Sequence, residues 1–386
     1  MKKRKICVVL VDRANYGRLK PVMKAIESHN NLELLTICSG TMLLERFGQV
    51  ENIVKNDGFN IDARVYMEVE GSIPTTMAKS VGFGIIEFAS TLQRLSPQIL
   101  LVIGDRYEAL SAVLAAAFQN IPIAHIQGGE VSSSIDESTR HSITKFSHYH
   151  FPSTERSKRF IIKMGECEST VFNFGCPVGD IILRLNNNLP KDIFNQIGAG
   201  ANISLDKPFF LVIFHPITTQ FDIGVEQVQQ LLNALEIFKL PTIWLWPNID
   251  AGSDQISKEL RIFRSSKGKS WLRLVKNFDP TDYQQILKKA ICAIGNSSSF
   301  IRDTSFSGTP VVLVGDRQDG REYAENLIAV DIISSKIEEA VSKQLKNGRY
   351  RPSTLYGNGN ASINIADKLA EVDLYIQKKL NYINQD

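Results

Sequence analysis

Short apolar runs rich in Val and Ile recur along this chain, and segments with the apolar spacing of helices lie between them. Because the runs are apolar throughout rather than alternating, we interpret them as strands buried on both faces. Strands that alternate with helices form parallel sheets, since a parallel connection needs a crossover. The pattern therefore predicts an α/β protein with doubly wound, Rossmann-like sheets. The runs are Ile6–Val11, Leu32–Cys38, Ile99–Ile103, Ile121–Ile126, Phe209–Phe214, Thr242–Trp246, Ala290–Ile294 and Pro310–Val314.

A break in this alternation divides the chain into two parts. Residues 185–208 are rich in Asn, Gly and Pro and contain no strand-like run, so we interpret them as a linker. A chain of 386 residues also suits two domains of ordinary size. We predict Rossmann-like domains over 1–185 and 208–358, and the apolar spacing from Ile363 to Ile376 predicts a last long helix within 359–386. The strand ends of both domains would then face a shared cleft.

Composition excludes several function classes. The net charge of +3 is too small for a nucleic-acid-binding protein, which carries a concentrated basic excess. No apolar run approaches the ~20 residues of a membrane span, and the run after the basic start is too short for a signal peptide. The five cysteines are scattered without the spacing of a zinc site, so we expect reduced thiols, no metal site and a cytoplasmic location.

Polar residues cluster directly after the predicted strands of the first domain, where an open α/β sheet binds its ligands. Arg13 and Gly17 lie at a helix start after the first strand, which suits a phosphate group, although a solvated arginine near a cap explains them as well. No G-x-G-x-x-G occurs there, so a dinucleotide cofactor is not expected. Asp105 and Arg106 follow the third strand, either as a helix cap with a surface ion pair or as an ionised carboxylate beside a phosphate-binding arginine.

A Gly128-Gly129 turn follows the fourth strand and leads to further titratable groups. Two glycines would let the backbone approach a ligand closely, with Glu130 at the mouth of the strand. Pairing on a helix surface explains the charged residues that come next, but their crowding behind the turn favours acid-base chemistry. Pairs that share a helix face by their spacing of four are Asp136 with Arg140 and Glu137 with His141.

The second domain repeats this arrangement at its strand ends. His215 leaves the fifth strand and is as good a candidate for proton transfer as for a structural histidine, while Asn248 lies in a turn-like loop. Ser297 and Ser298 begin a helix and offer N–H and O–H donors that suit a diphosphate. Asp303 lies one turn further, within reach of ribose hydroxyls, and Arg317 follows the last strand.

Long motifs connect these residues and occur in a fixed order from about Lys5 to about Ala366. They read RANYGRLKP, IGDRYEAL, HIQGGEVSSSIDESTRHSITKFSH, FHPITT, PNIDAGSD, IGNSSS, GDRQDGRE and YGNGNAS. In this order they closely resemble the hydrolysing UDP-N-acetylglucosamine 2-epimerases, which include bacterial sialic-acid-pathway enzymes. The resemblance implies a GT-B fold with UDP in the cleft, a C-terminal helix that crosses back to the first domain, and no separate cofactor. It also implies a homodimer or homotetramer, for which the apolar stretch Met77–Phe88 is a candidate face, although core packing explains that stretch equally well.

The resemblance further implies roles for individual residues. The family's acidic residue after the serine motif binds ribose, and Arg317 would line the uridine side. The residues expected to bind the UDP of the substrate are Arg13, Gly17, Arg106, Asn248, Ser297, Ser298, Asp303 and Arg317. The residues expected to take part in acid-base chemistry are Asp105, Glu130, Asp136, Glu137 and His215, with Arg140 in support.

The sequence departs from the family pattern at several positions. Val11 and Asp12 replace the small pair that often precedes the arginine. Gln127 stands where many relatives carry glutamate, and a neutral amide cannot act as a base, so the expectation moves to Glu130, Asp105 and the Asp136/Glu137 pair. Asp303 is one methylene shorter than the usual glutamate, and Phe300 replaces a glycine, which would reshape the pocket.

The implied reaction eliminates UDP from UDP-N-acetylglucosamine to give a glycal, which water converts to N-acetylmannosamine. Three alternatives stay open. The substrate would instead be UDP-2,4-diacetamido-2,4,6-trideoxyglucose, or the chain would be a GT-B glycosyltransferase, or a nucleotide-sugar-binding protein without turnover.

Overall fold

Two mainly parallel sheets, each wrapped by helices, organise the chain. The structure is a computed structural model that describes residues 3–71, 73–186, 188–268, 270–379 and 381. Apolar cores lie on both faces of each sheet, which is the arrangement that uninterrupted apolar strands predict. None of the described helices combines the length and the apolar character that crossing a membrane requires.

The first sheet has the strand order β3-β2-β1-β4-β5-β6, and its neighbouring strands are parallel. Its direction of winding reverses between β1 and β4, and such a switch point opens a crevice at the strand ends. The strands are β1 (Arg4–Leu10), β2 (Leu32–Ser39), β3 (Ala63–Val65), β4 (Ile99–Ile103), β5 (Ile123–Ile126) and β6 (Tyr149–Phe151). The helices around it are α1 (Arg13–Ser28), α2 (Glu51–Asn56), α3 (Pro74–Leu95), α4 (Tyr107–Ala117), α5 (Ile135–Phe146) and α6 (Glu155–Lys163). The short helix α7 (Gly179–Ile182) follows them in the chain, but its Ile182 packs in a core of the second sheet.

The second sheet has the order β13-β12-β11-β8-β9-β10-β7, with a switch point between β8 and β11. All of its pairs are parallel except the pair of β10 with β7. The strands are β7 (Ala199–Gly200), β8 (Phe210–Ile213), β9 (Thr242–Leu245), β10 (Leu272–Val275), β11 (Cys292–Gly295), β12 (Val311–Val314) and β13 (Leu327–Val330). The helices that follow α7 are α8 (Ile193–Gln196), α9 (Gly224–Phe238), α10 (Ser253–Ser266), α11 (Pro280–Lys289), α12 (Ser299–Ser305), α13 (Ser334–Asn347) and α14 (Ala361–Glu371).

Each apolar run that the sequence marks as a strand contains a strand of the structure, within one or two residues at either end. Most strands that the sequence did not reveal are short or polar, although β13, an apolar run of four residues, was also not predicted. β3 and β6 have three residues each, and β10 carries the buried Arg273, which interrupts its apolar run. A run of three residues, or one with a central arginine, gives too weak an apolar signal to be recognised.

The predicted linker over 185–208 is not a plain connection. It contains α8 and the edge strand β7, which pairs with β10 of the second sheet. Arg273 on β10 donates hydrogen bonds to the backbone carbonyls of Asn195, Ile197, Gly200 and Ala201. The sequence signal failed because the buried apolar residues of this segment, such as Phe194 and Ile203, are scattered rather than in a run, and because a side chain on a distant strand holds its backbone.

The C-terminal segment returns to the first sheet, but its helix is shorter than predicted. α14 ends at Glu371, and residues 372–379 are not helical. Leu374 and Ile376 suggested a longer helix, but they are 38% and 58% exposed and cover no core. The part of the prediction over 380 and 382–386 lies outside the described residues.

Contacts at both ends hold this segment in place. The Asp180 carboxylate on α7, which packs against the second sheet, accepts from the backbone N–H groups of Ala361 and Ser362 at the start of α14, at 3.1 and 2.8 Å. Further along, Lys378 Nζ lies 2.7 Å from Glu166 Oε2, and Tyr375 donates to the backbone carbonyl of His148.

Candidate active site

A cleft of about 450 Å³ opens between the two sheets. Residues that come directly after strands of both sheets line it. This volume lies in the usual range of small-molecule sites, about 300–1,000 Å³. The predicted site residues that line it are Arg13, Gly17, Asp105, Arg106, Asp136, His215, Asn248, Ser297, Ser298, Asp303 and Arg317. The other predicted residues, Glu130, Glu137 and Arg140, are not part of its lining.

Asp105 enters the cleft from the turn after β4 and is held by a buried arginine. Arg140 on α5, whose side chain is 1% exposed, donates from Nη2 to Asp105 Oδ2 and to Ser132 Oγ. Burial alone would raise the pKa of Asp105, but Arg140, followed by Arg321 and Arg302, outweighs burial and holds that pKa well below its usual range. Asp105 is therefore a carboxylate that stays ionised at working pH.

Asp136, in the first turn of α5, has a pKa that is shifted in the opposite direction, upwards. Its Oδ2 accepts from Arg317 Nη2 at 2.9 Å, across the boundary between the domains. Burial raises the pKa of Asp136 to about 6, with Arg317 opposing this shift and Asp105 and Asp250 adding to it. The resemblance implied that Arg317 lines the uridine side of the site, and the structure places it beside this carboxylate. Two carboxylates of one cleft thus have pKa values that their surroundings drive apart.

Glu130 does not reach the cleft. Its Oε2 accepts from Arg302 Nη1 at 2.6 Å and from Arg321 Nη1, and its side chain is 3% exposed. Both arginines come from the second domain. A carboxylate enclosed in this way has no contact with a ligand in the cleft, so the geometry does not support its predicted role in proton transfer.

The glycines before Glu130 serve packing rather than the approach of a ligand. A Cβ on Gly129 would lie 2.3 Å from the carbonyl oxygen of Ser157, and one on Gly128 would lie 2.9 Å from His125 Nδ1. The turn is therefore pressed against β5 and α6. The expectation that these glycines admit a ligand is wrong for this reason.

Two departures from the family pattern also lie away from the cleft. Phe300 is fully buried in the apolar core of the second domain, so the expectation that it reshapes the pocket is wrong. Gln127 is buried as well and donates to Cys176 Sγ at 3.0 Å. Asp303 and Asp12, by contrast, line the cleft.

Glu137 acts on Arg140 rather than on the cleft. Its Oε2 accepts from Arg140 Nη1 at 3.0 Å, and its Oε1 pairs with His141 Nε2 at 2.9 Å, as the spacing of four predicts. The other predicted pair does not form, because Asp136 turns to Arg317 and Arg140 turns to Asp105. Glu137 therefore orients the arginine that orients Asp105.

His215 is a hydrogen-bond donor in this site. Its Nδ1 accepts from the backbone N–H of Asn248 at 3.1 Å. Burial lowers the pKa of His215 to about 3, and Arg317 lowers it further, so the ring is neutral at working pH. A neutral ring whose Nδ1 accepts carries its proton on Nε2. The geometry favours donation to a ligand over the proton abstraction that the sequence suggested.

Arg106 bridges the domains and is surrounded by carboxylates. It contacts both oxygens of Glu108, at 3.1 and 2.9 Å, and donates to Asp250 Oδ1 of the second domain at 2.6 Å. Asp12 lies 3.7 Å away. These carboxylates offset its charge, so Arg106 attracts a diphosphate less strongly than its position in the sequence suggested.

Arg18 is a cation of the cleft that the sequence did not mark as a site residue. It lines the cleft, and among the described residues its Nε has no hydrogen-bond partner and its guanidinium makes no ion pair within 4.0 Å. Arg13 donates to neutral acceptors only, Asn277 Oδ1 at 2.8 Å and the carbonyl of Lys276. The signal was present in the motif RANYGRLKP, where a second arginine follows Arg13 on the same helix.

Hydroxyl groups line the cleft opposite these arginines. Ser297 Oγ lies 2.9 Å from Ser299 Oγ, which in turn lies 2.7 Å from the hydroxyl of Tyr283. Ser298 Oγ accepts from Arg302 Nη2 at 2.7 Å. The serines therefore form a row of donors and acceptors on the second domain, as the motif predicts.

The remaining predicted residues complete the walls. Asp303 Oδ2 accepts from Gln284 Nε2 at 2.8 Å, whereas its buried Oδ1 has no hydrogen-bond partner among the described residues. Burial raises the pKa of Asp303. Gly17 allows α1 to approach α11, since a Cβ there would lie 3.3 Å from Pro280 Cβ. Asn248 donates from Nδ2 to Asp250 Oδ2 at 2.5 Å.

Further lining residues lie at the ends of β9 and β10, at the start of α10 and on α11, and the sequence did not mark them as site residues. They are Trp246, Ser253, Lys276, Asn277, Tyr283 and Gln284. Recognition of β10 as a strand would have marked Lys276 and Asn277 as strand-end residues, but Arg273 concealed it.

Comparison with known proteins agrees with this architecture. The model of a family described as UDP-N-acetylglucosamine 2-epimerase matches residues 24–370. The chain belongs to this family. It is 32% identical over 374 residues to UDP-N,N′-diacetylbacillosamine 2-epimerase (hydrolyzing) from Legionella pneumophila, with 97% of each chain covered. It is 31% identical over 350 residues to GDP/UDP-N,N′-diacetylbacillosamine 2-epimerase (hydrolyzing) from Campylobacter jejuni, with 90% of each covered.

Solved structures confirm the fold of this epimerase-family enzyme. The crystal structure of Methanocaldococcus jannaschii UDP-GlcNAc 2-epimerase in complex with UDP-GlcNAc and UDP superposes with a TM-score of 0.79 at 20% identity, covering 95% of this chain and 99% of that one. The Neisseria meningitidis UDP-GlcNAc 2-epimerase bound to UDP-GlcNAc gives 0.78 at 19% identity, covering 95% and 100%. The predicted GT-B arrangement of two Rossmann-like domains is confirmed.

Proposed function

We propose that this protein is a hydrolysing UDP-sugar 2-epimerase, which eliminates UDP from its substrate and returns the free sugar with C2 inverted. The observation that carries the proposal is the presence in one cleft of Asp105, which is held ionised, and Asp136, whose pKa is raised to about 6. Elimination needs a base near C2, a counter-charge for C1 and cations for the leaving diphosphate. The cleft supplies all three kinds of group.

The diphosphate of UDP lies, in this proposal, between Arg18 and the row of serines. Arg18 and Arg13 carry charges that no carboxylate offsets within 4.0 Å among the described residues, and Ser297 and Ser298 offer hydroxyl donors. Charge-assisted hydrogen bonds to phosphate are among the strongest that side chains make. The free Oδ1 of Asp303 is suited to a ribose hydroxyl.

Asp136 is the proton-transfer group in this scheme. A base works best when its pKa lies close to the working pH, and Asp136, whose pKa is raised, meets this condition. Asp105, whose pKa is lowered, is too weak a base. The C2–H electron pair forms the C1=C2 double bond while the bond from C1 to the diphosphate oxygen breaks. UDP leaves with the electron pair of the C1–O bond, and Asp136 takes up the proton from C2.

Asp105 and His215 stabilise the charges that develop during elimination. Positive charge appears at C1, and an ionised carboxylate fixed by Arg140 lowers its energy. Negative charge appears on the leaving oxygen, to which His215 donates from Nε2. A proton from solvent then bonds to C2 on the face opposite Asp136, and the oxygen of a water molecule bonds to C1 while that water releases one proton. Asp136 returns its proton to solvent, which restores the carboxylate for the next turnover.

For the sugar we propose UDP-N,N′-diacetylbacillosamine, the 2,4-diacetamido-2,4,6-trideoxy sugar nucleotide, as the first candidate. Its support is the name carried by the relatives of 32% and 31% identity over nearly whole chains. UDP-N-acetylglucosamine, with N-acetylmannosamine for sialic-acid-type synthesis as product, is the second candidate. Its support is the family description and a 27% identical UDP-N-acetylglucosamine 2-epimerase of Neisseria meningitidis.

The test is UDP release from each sugar nucleotide without any acceptor, followed by proton NMR of the product in heavy water. We expect UDP release from at least one of them and deuterium at C2 of the free sugar. UDP release without deuterium would refute elimination. A requirement for an acceptor would instead indicate a glycosyltransferase, and binding without turnover a nucleotide-sugar sensor.

We also propose that the chain forms a homodimer or homotetramer through the exposed apolar face of α3. Phe83 and Ile86 lie one turn apart on this helix and are 53% and 64% exposed. Light scattering after gel filtration should give a smaller particle for a variant that combines Phe83→Glu with Ile86→Lys. Ile262→Lys, at a similarly exposed position on α10, is the control and should not change the mass. An unchanged mass of the double variant would exclude this face.

A further inference from the structure

A buried ion cluster joins the two domains behind the cleft. We name it the interdomain clamp, and it consists of Glu130, Arg302 and Arg321, whose side chains are 3%, 4% and 2% exposed. Glu130 follows β5 of the first domain, whereas Arg302 lies on α12 and Arg321 follows β12 of the second. Both arginines donate to the same oxygen, Glu130 Oε2. Buried charges are costly unless paired, and Glu130 is the carboxylate that both guanidinium groups contact directly, while the charge of Asp105 acts on Arg321 from further away.

Both ends of the clamp lead to residues of the cleft. On the second domain, Arg302 Nη2 donates to Ser298 Oγ at 2.7 Å. On the first domain, the backbone carbonyl of Glu130 accepts from Arg140 Nη1 at 2.8 Å, and Arg140 Nη2 contacts Asp105. Ser298 and Asp105 line the cleft, but Glu130 does not.

We propose that Glu130 is a positioning residue that fixes Ser298 of the second domain relative to Asp105 of the first, and that it transfers no proton. The inference rests on the proposed function, in which Ser298 binds the diphosphate and Asp105 faces C1. Without the charge of Glu130, Arg302 and Arg321 repel each other with no counter-ion between them. Arg302 then moves, and Ser298 moves with it. The groups that titrate in the cleft stay in place.

Kinetics of Glu130→Gln separate positioning from proton transfer. A misplacement of ~1 Å at a reacting centre costs on the order of 100-fold in rate, so we expect kcat for UDP release to fall roughly 10- to 100-fold. The pH dependence of kcat/KM should keep every limb of the wild-type profile, because no titrating group is lost. Glu130→Asp keeps the charge and should recover part of the rate.

Arg321 gives a second and independent variant. It contacts the Glu130 carboxylate and is not part of the cleft lining, but Arg321→Gln leaves the pair of Glu130 with Arg302 in place, so it should lose less rate than Glu130→Gln. In the Glu130→Gln background, Arg321→Gln removes one of the two unpaired guanidinium groups, so the double variant should be faster than Glu130→Gln alone. Arg351→Gln, an exposed arginine of the second domain, is the matched control and should keep the wild-type rate. If Glu130→Gln does not fold, the double variant compared with Arg321→Gln carries the test.

Several outcomes would overturn the clamp. They are an unchanged rate for Glu130→Gln, loss of one limb of its pH profile, an Asp variant as slow as the Gln variant, or a double variant no faster than Glu130→Gln alone. Calorimetry with UDP alone separates this failure from failure of the proposed function. If wild type binds UDP without releasing it from either sugar nucleotide, the proposed function fails. The clamp still predicts UDP binding weaker by about 10-fold in Glu130→Gln, in proportion to a lost charge-assisted contact at Ser298, and unchanged binding would refute it.

Discussion

Asp136 has a pKa of about 6 because it is buried, with Asp105 and Asp250 nearby and with Arg317 as its partner. The neighbouring Asp105 is buried too, yet Arg140 keeps it ionised. Burial and one arginine are common to both carboxylates, so their difference comes from the number of other charges around each. Three arginines act on Asp105, while other carboxylates act on Asp136.

This difference predicts a pH profile. A base must be ionised, so kcat/KM for UDP release should rise with pH through about 6 and then level off. Asp136→Asn should remove this limb and lower the rate roughly 10²- to 10⁴-fold. Asp206→Asn, at an exposed position, is the control and should leave the profile unchanged. A flat wild-type profile between pH 5 and 7 would refute the assignment.

Arg18 carries a second prediction at the residue scale. Hydrogen bonds to charged groups contribute about 1.5–3 kcal/mol, so Arg18→Ala should weaken UDP binding by roughly 10- to 100-fold in calorimetry. Arg94→Ala removes an exposed arginine at the end of α3 and should have no effect. Equal affinity of the Arg18 variant and wild type would place the diphosphate elsewhere in the cleft.

At the scale of elements, the turn after β4 is fixed by the neighbouring strand. Gly104, with φ of +79°, leads into Asp105, and its carbonyl accepts from His125 Nε2 on β5 at 2.7 Å. His125 Nδ1 lies 3.2 Å from Thr144 Oγ1 on α5. Burial lowers the pKa of His125 to about 3, so its ring stays neutral and keeps the proton on Nε2 for Gly104. One histidine thus links β4, β5 and α5 at the point where Asp105 enters the cleft.

His125→Phe should therefore lower both activity and stability. It leaves the Gly104 carbonyl unsatisfied, which costs about 1–3 kcal/mol of unfolding free energy. Since the folded pKa lies below the unfolded value, the neutral His125 contributes stability that is lost as pH falls from about 6.5 towards 3. Denaturation of wild type and variant at pH 7.5 and 5 measures this, and the difference between them should be smaller at pH 5. A difference that grows at pH 5 would contradict it.

At the scale of the whole molecule, the C-terminal segment ties the second domain back to the first. α14 packs beside α1, where Ile365 and Leu369 join the core of the first sheet. Lys378 then reaches Glu166, which is 4% exposed and also contacts Lys145 and His150. Burial would raise the pKa of Glu166, but His150, Lys145 and Lys378 together lower it to about 2.

Lys378→Met keeps most of the apolar stem and removes this ion pair. We expect the melting temperature to fall by roughly 2–6 °C, because loss of ~1–2 kcal/mol shifts a domain of this size by about 2–4 °C per kcal/mol. The folded pKa of Glu166 lies below its unfolded value, so this loss should be present at pH 7 and fade as pH falls from about 4.5 towards 2. Lys379→Met, next in the chain and exposed, is the control. Equal melting temperatures of the Lys378 and Lys379 variants would contradict the role of Lys378.

The sequence predicted the fold well where a signal was local. Apolar runs such as Ile99–Ile103 are strands over the predicted residues. It failed where the signal came from elsewhere, as in β7, which Arg273 holds in place from another strand. It also overestimated α14, because apolar spacing continued in Leu374 and Ile376 although no core lies beneath them.

The sequence predicted which residues line the cleft more reliably than it predicted the role of each residue. Strand-end reasoning brought Asp105, Asp136 and His215 into one cleft. It could not distinguish Glu130, which has the same type of strand-end position but points away into two arginines of the other domain. Nor could it predict that Arg106 forms ion pairs with Glu108 and Asp250.

By itself, the sequence determined the two winding sheets, the cleft between them and the residues at its edge. These follow from local periodicity and from the rule that parallel strands end at one edge of a sheet. Only the tertiary structure decided which charges meet: Asp136 with Arg317, Glu130 with Arg302 and Arg321, and Arg106 with Asp250. The physical reason is that each pair joins residues of different domains, and in a buried site the charge state of a group depends on its partners.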